Sequence, residues 1–129
     1  MLSRRNVIAA VAVFSLAPSV ALALHGKPFN QATFEAAQAA GKPILIDVSA
    51  PWCPTCRTQA PILLRLVGNG AFKDVVWFNV DFDTQKDLLR KLNVRSQSTL
   101  IVYKGKQEVG RSTGDTNEDS IKALIAKSI

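Results

Sequence analysis

Apolar and polar residues follow two different periods along this chain, and these periods predict strands and helices. Residues 43–49 (PILIDVS) and 75–80 (VVWFNV) are almost continuously apolar, which is typical of strands covered on both faces. Residues 99–103 (TLIVY) and 107–111 (QEVGR) predict a hairpin, because a short turn containing lysine and glycine separates two runs of strand composition. The pattern therefore predicts four strands.

Four other segments carry apolar residues at helical spacing. The first follows Asn30, a good N-cap residue, and the second starts at a pair of cysteines and ends at Val67. Thr84 and Thr116, each with an aspartate three residues later, are expected to cap the third and fourth helices. The order of elements predicts an α/β fold. In this fold a mixed sheet, parallel with an antiparallel C-terminal hairpin, lies between helices.

The N-terminal segment has the pattern of an export signal and not of a folded element. A short basic start precedes residues 7–24, which carry no charge, and Ala21-Leu22-Ala23 offers the small-x-small pattern of a cleavage site. We therefore expect residues 1–23 to be a signal peptide and residues 24–129 to form a single domain, exported to a bacterial periplasm.

Two alternatives to an ordinary cleaved signal stay open. Arg4 and Arg5, followed by hydrophobic residues, resemble a twin-arginine export signal, although no lysine follows them. The uncharged run is also just long enough to span a bilayer, so an uncleaved anchor in the inner membrane is the second alternative. Pro18 and the many small residues weigh against that anchor.

The distribution of charge argues against one class of partner, nucleic acids. Loss of residues 1–23 removes two arginines and no acid, so the net charge falls from +6 to +4. The remaining charges are scattered and form no basic run that could track phosphates, so we expect no nucleic-acid partner. We expect the domain to be a monomer.

Both cysteines of the chain, Cys53 and Cys56, lie in SAPWCPTCRTQAP (residues 49–61). A bridge across so short a loop would restrain the unfolded chain by only about 2 kcal/mol, so a purely structural disulfide is a weak explanation. Structural zinc normally needs four ligands, and the chain adds only the distant His25. Two thiolates suit copper(I), so a copper-binding protein or metallochaperone remains the alternative function.

The position of the cysteines at a strand-to-helix turn gives them different roles. Unpaired N–H groups and the helix dipole favour a thiolate at Cys53, and Pro54 at the first helical position sacrifices no hydrogen bond. We expect Cys53 to be exposed and to attack substrate. Cys56, one turn later and facing the core, is expected to stay protonated and to resolve the mixed disulfide.

Asp47 is the third candidate catalytic residue. It interrupts an apolar strand six residues before Cys53, and burial of its carboxyl group is expected to raise its pKa. From the end of that strand it could take a proton from Cys56. The alternatives are a carboxylate hydrogen-bonded to backbone, or one exposed by fraying of the strand.

The segment DVSAPWCPTCRTQAP resembles the active-site segment of the thioredoxin family, whose members carry W-C-x-x-C after a buried strand. Asp47 and Pro61 fall at the positions of the family's buried aspartate and helix-kinking proline. TLIVYKGKQEVGRSTG resembles the family's closing hairpin, so the resemblance spans about residues 29–127. It implies a thioredoxin-like three-layer sandwich and a thiol–disulfide oxidoreductase that acts on protein disulfides. It also implies that no cofactor is needed beyond a redox-active Cys53–Cys56 disulfide.

The resemblance also implies which residues bind substrate, and this sequence departs from the family pattern at two positions. The expected substrate-binding residues are Trp52, Pro54, Thr55, Ser98 and Thr99. Ser98 replaces a cis-proline of the family, and the cost of a non-proline cis bond favours a trans bond after Gln97, although the isomer stays open. The Ser98 hydroxyl is expected either to bond a thiolate or to face solvent. Trp77 replaces a lysine that pairs with the aspartate in many members.

The dipeptide between the cysteines bears on direction. Pro54-Thr55 lacks the histidine of the strong oxidants in this family, so we expect a reductase, with the reverse direction open. By the same resemblance, a reducing member in the periplasm would draw electrons from an inner-membrane thiol transporter.

Overall fold

The computed structural model describes residues 26–129. The predicted signal peptide, its cleavage site and its possible role as an anchor therefore lie outside the described residues. Within residues 26–129, no helix combines the length and the apolar character needed to cross a membrane.

Five strands and four α-helices make up the described part of the chain. The strands are β1 (Lys27–Pro28), β2 (Pro43–Ser49), β3 (Val76–Asp81), β4 (Thr99–Lys104) and β5 (Gln107–Thr113). The α-helices are α1 (Gln31–Ala39), α2 (Pro54–Leu66), α3 (Lys86–Lys91) and α4 (Glu118–Ala126), and a 3₁₀ turn covers Gly70–Phe72.

The strands form one mixed sheet in the order β1-β3-β2-β4-β5. β3 runs parallel to β1 and β2, whereas β4 is antiparallel to both β2 and β5. The predicted α/β fold with an antiparallel C-terminal hairpin is confirmed. β1 was not among the four predicted strands. Phe29, directly after it, donates its N–H to the Asn79 carbonyl at 2.9 Å and anchors this edge strand. Two residues are too few to show a strand period.

The start of α1 agrees with the sequence pattern. The Asn30 side chain accepts the N–H of Thr33 at 3.1 Å, which satisfies a donor that the helix itself leaves unpaired. The rings of Phe29 and Phe34, on either side of this cap, lie 5.2 Å apart. Together these contacts fix where the chain enters the helix.

The expected caps of α3 and α4 are wrong by one residue each. α3 begins after Gln85 and not after Thr84, and no side chain caps it. α4 is capped by Asn117, whose side chain accepts the N–H of Ser120 at 2.9 Å, in place of Thr116. Asparagine is a somewhat better N-cap residue than threonine, and α4 starts after the asparagine.

Successive residues of β2 point to opposite faces of the sheet, and each face has its own core. α1 and α3 cover one face, and α2 and α4 cover the other. The first core comprises Phe34, Ala37, Ile44, Ile46, Val48, Phe78, Val80, Leu89, Val94, Ile101 and Tyr103. The second comprises Leu45, Ile62, Leu63, Phe72, Val75, Trp77, Leu100, Val102, Ile121, Leu124 and Ile125. The molecule is therefore a three-layer sandwich, as expected.

Candidate active site

Cys53 is the N-cap of α2, as the sequence predicts. Its backbone is extended (φ −84°, ψ 110°), and its sulfur accepts the N–H of Cys56 at 3.1 Å. Pro54 occupies the first helical turn, where a missing N–H costs nothing. The Cα atoms of the two cysteines lie 5.3 Å apart and their sulfurs form a disulfide. The redox pair is thus held at the positive end of a helix.

The expected difference in exposure between the two cysteines is wrong. Cys53 is only 1% exposed, and Cys56 is 8% exposed. Both pack with Ala50, and the ring of Phe82 lies against this cluster. Phe82 lies in the segment after β3, so part of the packing around the disulfide comes from a residue that the motif does not contain.

Asp47 is buried and bonded to two side chains of β3. The indole Nε1 of Trp77 donates to Asp47 Oδ2 at 2.8 Å, and Asn79 Nδ2 donates to Oδ1 at 3.2 Å. The same Asn79 amide donates to Ser49 Oγ at 2.8 Å. The expected alternative of a carboxylate exposed by fraying of the strand is wrong, because Asp47 is buried.

Asn79 was not singled out from the sequence, although a signal for it exists. It interrupts the apolar run of β3 as Asp47 interrupts that of β2, and the sheet register pairs these two residues directly. Trp77, which replaces a lysine of many family members, is buried and donates a hydrogen bond to Asp47.

A cavity of about 390 Å³ opens beside the disulfide, between α2 and the carboxyl ends of β2 and β3. Ser49 pairs with Asp81 two residues beyond the pair of Asp47 and Asn79, so the polar residues Ser49, Asn79 and Asp81 form the sheet side of the cavity. Cys56 lines this cavity and Cys53 does not. The other lining residues are Ser49, Ala50, Pro51, Arg57, Ala60, Asn79 and Asp81.

Trp52 remains exposed over the start of α2. Its side chain is 51% exposed, and its Nε1 lies 3.0 and 3.1 Å from the two carboxylate oxygens of Asp83. Asp83 was not expected to contribute, and nothing in the local sequence connects it with a residue 31 positions earlier. Pro54 is exposed next to Trp52, Thr55 is half-buried, and Thr99 is buried at the start of β4.

Ser98 follows a trans bond, because none of the described peptide bonds is cis. Its φ of +58° lies in the left-handed region, and its N–H, which a proline would lack, donates to the Val48 carbonyl at 2.8 Å. Its own carbonyl accepts from Gly114 N at 3.0 Å and from Gln59 Nε2 at 3.2 Å. The hydroxyl donates to the Gln97 carbonyl at 2.6 Å, so neither expected role of this hydroxyl is found in the disulfide form.

The copper alternative gains no support. Within the part of the chain that the structure describes, no group of three or more His, Cys, Asp or Glu side chains could hold a metal ion. The two thiol groups that would bind copper(I) are joined in the disulfide. His25, the other residue weighed as a metal ligand, lies outside the described residues.

Comparisons with known proteins agree with this geometry. The thioredoxin family model matches residues 25–127. Thioredoxin-2 of Saccharomyces cerevisiae is 34% identical over 97 residues, covering 74% of this chain and 90% of its own. Trxlp from Edwardsiella tarda EIB202, whose crystal structure is known, has 44% sequence identity to this chain. The match covers 76% of this chain and 95% of that protein, and the two structures superpose with a TM-score of 0.74. Oxidised mitochondrial thioredoxin 3 of S. cerevisiae is 26% identical with a TM-score of 0.66, covering 78% and 92% of the two chains.

Thioredoxins exchange disulfides with proteins through a dithiol of their own and need no bound cofactor. The paired cysteines at the start of α2 provide that dithiol here. The chain therefore belongs to the thioredoxin family and is a thiol–disulfide oxidoreductase.

Proposed function

We propose that this protein is an exported reductase of protein disulfides in the bacterial periplasm. The observation that carries the chemistry is the 3.1 Å hydrogen bond from Cys56 N–H to Cys53 Sγ at the first turn of α2. A donor aimed at this sulfur, added to the helix dipole, stabilises a thiolate over a thiol. Cys53 is therefore the nucleophile of the reduced form.

The exchange proceeds in two substitutions at sulfur. The Cys53 thiolate attacks one sulfur of a partner disulfide, forms a mixed disulfide and releases the first partner thiolate. Cys56 then loses its proton, attacks the Cys53 sulfur and releases the second partner thiolate. Two electrons pass from the dithiol to the partner, and the Cys53–Cys56 disulfide is left in the enzyme.

Asp47 accepts the proton that Cys56 loses in this proposal. The carboxylate lies on the sheet face that α2 covers, and Trp77 and Asn79 donate to its two oxygens. Hydrogen bonds to an ionised carboxylate favour the ionised form, which is the form that can take a proton. The two donors therefore replace the lysine of other members as partners of the aspartate.

The direction of exchange and the partners complete the proposal. The dipeptide Pro54-Thr55 brings no histidine to the thiolate, which favours a reducing protein over a strongly oxidising one. Trp52, Pro54 and Thr55 are at least partly exposed and form the surface that meets the partner, whereas Ser98 and Thr99, which were also expected there, are buried. An inner-membrane thiol transporter would restore the dithiol, and the enzyme acts as a monomer.

Equilibration of the Cys53–Cys56 pair against glutathione tests the direction. A reductase is expected near the thioredoxin value of about −270 mV, and a potential near about −120 mV would instead identify an oxidase.

Substitution of each cysteine tests the two steps of exchange. Loss of insulin reduction is expected in Cys53→Ser. Cys56→Ser should still form mixed disulfides but fail to release them. Full activity of Cys53→Ser would contradict the mechanism.

Alkylation tests whether Cys53 becomes reachable once it is reduced, since the disulfide form covers it. Brief treatment of the dithiol form with iodoacetamide should label Cys53 before Cys56. Equal or reversed labelling would contradict the assignment of the nucleophile.

Fractionation of bacteria that express the full chain tests export. The periplasmic form should begin at Leu24, after cleavage behind Ala23. Replacement of both Arg4 and Arg5 by lysine should block export only through the twin-arginine route. Retention of the uncleaved chain in the inner membrane would replace the proposed soluble form by the anchored alternative.

A further inference from the structure

The N-terminal edge of the sheet lies against the indole ring that bonds Asp47. β1 pairs Lys27 with Phe78 in parallel, so Gly26, one residue earlier, comes alongside Trp77. A Cβ atom on Gly26 would lie 2.7 Å from Cδ1 of Trp77 and 2.8 Å from both Cγ and Nε1. The ring therefore already fills the space that any side chain at position 26 would need.

The backbone of Gly26 is adapted to this contact. Its φ of +73° lies in the left-handed region, which glycine adopts at little cost. The ring atoms that it meets include Nε1, which donates to Asp47 Oδ2 at 2.8 Å. A displacement of this edge of the ring is therefore also a displacement of the hydrogen bond to Asp47.

The same edge of the sheet also holds the second donor to Asp47. Pro28 pairs with Asn79, and the N–H of Phe29 donates to the Asn79 carbonyl at 2.9 Å. The side chain of Asn79 in turn donates to Asp47 Oδ1 at 3.2 Å. In the sheet order β1-β3-β2, both donors thus lie on β3, between the edge segment and the strand that carries Asp47.

We propose that Gly26 is a positioning residue of the exchange reaction, because it holds the indole of Trp77 with Nε1 against Asp47. The proposal rests on the proposed function, in which Asp47 takes the proton that Cys56 loses. Without the contact, Nε1 is free to leave the carboxylate, and the ionised form of Asp47 loses one of the hydrogen bonds that favour it. Proton transfer from Cys56 should then need a higher pH.

The ionisable groups around Asp47 and the adjoining cavity stay the same when Gly26 is replaced. They are Cys53 and Cys56 at the start of α2, Arg57 of the same helix, and Asp81 of β3. The residues that α4 buries are apolar, and β4 places Leu100 beside Asp47. A change in pH dependence therefore reports the donors of Asp47 and not a new charge.

Two glycines of similar conformation provide a matched pair of variants. Gly26→Ala adds a methyl group against the ring at φ +73°, and Gly41→Ala adds one at φ +70°, where it meets no atom within 4 Å. Both variants carry the strain of a positive φ in alanine, so a difference between them reports the contact with Trp77. The contact is lost whether the ring moves or the short edge segment detaches.

Exchange of the Trp77 indole proton with solvent gives the first readout, by NMR of the full chain labelled with nitrogen-15. The chain has two tryptophans, and Trp77→Phe identifies the Trp77 signal by its loss. Exchange should become at least about tenfold faster in Gly26→Ala, as expected for a lost hydrogen bond to a charged group, and stay unchanged in Gly41→Ala. Equal rates in the two glycine variants would overturn the proposal.

Hydrogen exchange of the unaltered protein in low concentrations of urea decides the question if Gly26→Ala does not fold. The Phe29 N–H, bonded to β3, reports opening of the edge segment. The Trp77 indole proton should exchange through the same local opening. An indole proton that stays protected while the Phe29 N–H exchanges would overturn the proposal.

The pH dependence of mixed-disulfide release gives the second readout. Its midpoint should rise by about half to one pH unit in Gly26→Ala and stay unchanged in Gly41→Ala. In the Trp77→Phe background, Gly26→Ala should add no further shift, because its effect passes through Nε1. A full further shift in that background would overturn the proposal.

Asp47→Asn distinguishes failure of this proposal from failure of the proposed function. It should remove the midpoint that Gly26→Ala shifts. An unchanged profile in Asp47→Asn would contradict the proposed proton transfer, and the positioning of Trp77 by Gly26 would then stand or fall on indole exchange alone. An Asp47-dependent profile that is the same in both glycine variants would overturn the role of Gly26 and leave the proposed function intact.

Discussion

The two faces of the central sheet differ most where β2 ends. On the face covered by α1 and α3, the side chains of Ile44, Ile46 and Val48 are all apolar and buried. On the other face, the series changes from Leu45 to Asp47 and then to Ser49. β2 therefore contributes only apolar side chains to one face of the sheet. On the other face its side chains change from the apolar Leu45 to the polar Asp47 and Ser49.

The two faces are stable for different physical reasons. Each buried apolar side chain contributes about 1.5–3 kcal/mol through removal from water, with no demand for a particular partner. Asp47 is tolerated in the interior because Trp77 and Asn79 donate to it, and loss of one partner leaves a buried polar group short of a hydrogen bond. The apolar face should therefore govern stability, and the polar face should govern exchange.

Ile46→Ala should show the largest effect on stability. Ile46 is fully buried in the first core, and truncation to alanine is expected to cost about 2–5 kcal/mol through lost burial and an unfilled cavity. Urea unfolding measures this loss. Insulin reduction, measured well below the unfolding transition, should stay within about twofold of the wild type. A large loss of activity in the folded variant would show that the two faces are not independent.

Ser98→Pro should be the next largest effect, at about 2–3 kcal/mol. Proline requires φ near about −65°, far from the +58° of Ser98, and it removes the N–H that bonds Val48. Ser98→Gly is the matched control, expected to be about as stable as the wild type or more so, because glycine accepts positive φ freely. A proline variant as stable as the wild type would show that this loop can adopt the geometry of other thioredoxins without loss.

Trp77→Phe should cost about 1–2 kcal/mol, because the ring stays apolar while one donor to a charged group is lost. Its effect on the proposed proton transfer should be more specific. The release of mixed disulfides should need a higher pH than in the wild type, because ionised Asp47 has lost one of its stabilising donors. Stopped-flow measurement across pH gives this profile. An unchanged profile would separate Trp77 from proton transfer.

The smallest expected effect concerns the apolar face at alkaline pH. Burial raises the pKa of Tyr103 above its ordinary value, and the negative charge of Glu108 adds to the shift. Because the folded state holds the phenol proton more tightly than the unfolded chain does, stability is fully present below about pH 10 and falls as pH rises beyond it. Tyr103→Phe should remove that decline.

Tyr103 is the only tyrosine of the chain, so an ultraviolet absorbance titration reports it alone. The midpoint in the folded protein should lie above that in denaturant. Equal midpoints would contradict the burial of the phenol group.

The longest elements were readable from the sequence because their patterns are long. β2 and α2 carry runs of apolar residues bounded by clear signals, and the W-C-x-x-C motif placed the cysteines at the turn between them. β1 could not be read, because two residues show no period. The start of α4 was misplaced by one residue because Asn117 and Thr116 are both good caps.

The parts of the site that were not predicted depend on contacts between distant residues. Asn79 meets Asp47 through the register of two strands, and Phe82 packs against the cluster of Ala50 and the two cysteines from the segment after β3. The positive φ of Ser98 follows from bonds to neighbouring elements, and no local rule for serine predicts it. The motif identified the reacting atoms, whereas tertiary packing determined which of them a molecule can reach.

The chain has two tryptophans, and the fold places one at the surface and the other in the core. Trp52 is half in solvent and held by Asp83, while Trp77 is enclosed and bonded to Asp47. A dissolved quencher should reduce the fluorescence of the exposed Trp52 and leave the fluorescence of the buried Trp77 unchanged. The intrinsic fluorescence of the unlabelled protein can therefore be separated into two signals, one from the surface offered to partners and one from the interior beside Asp47.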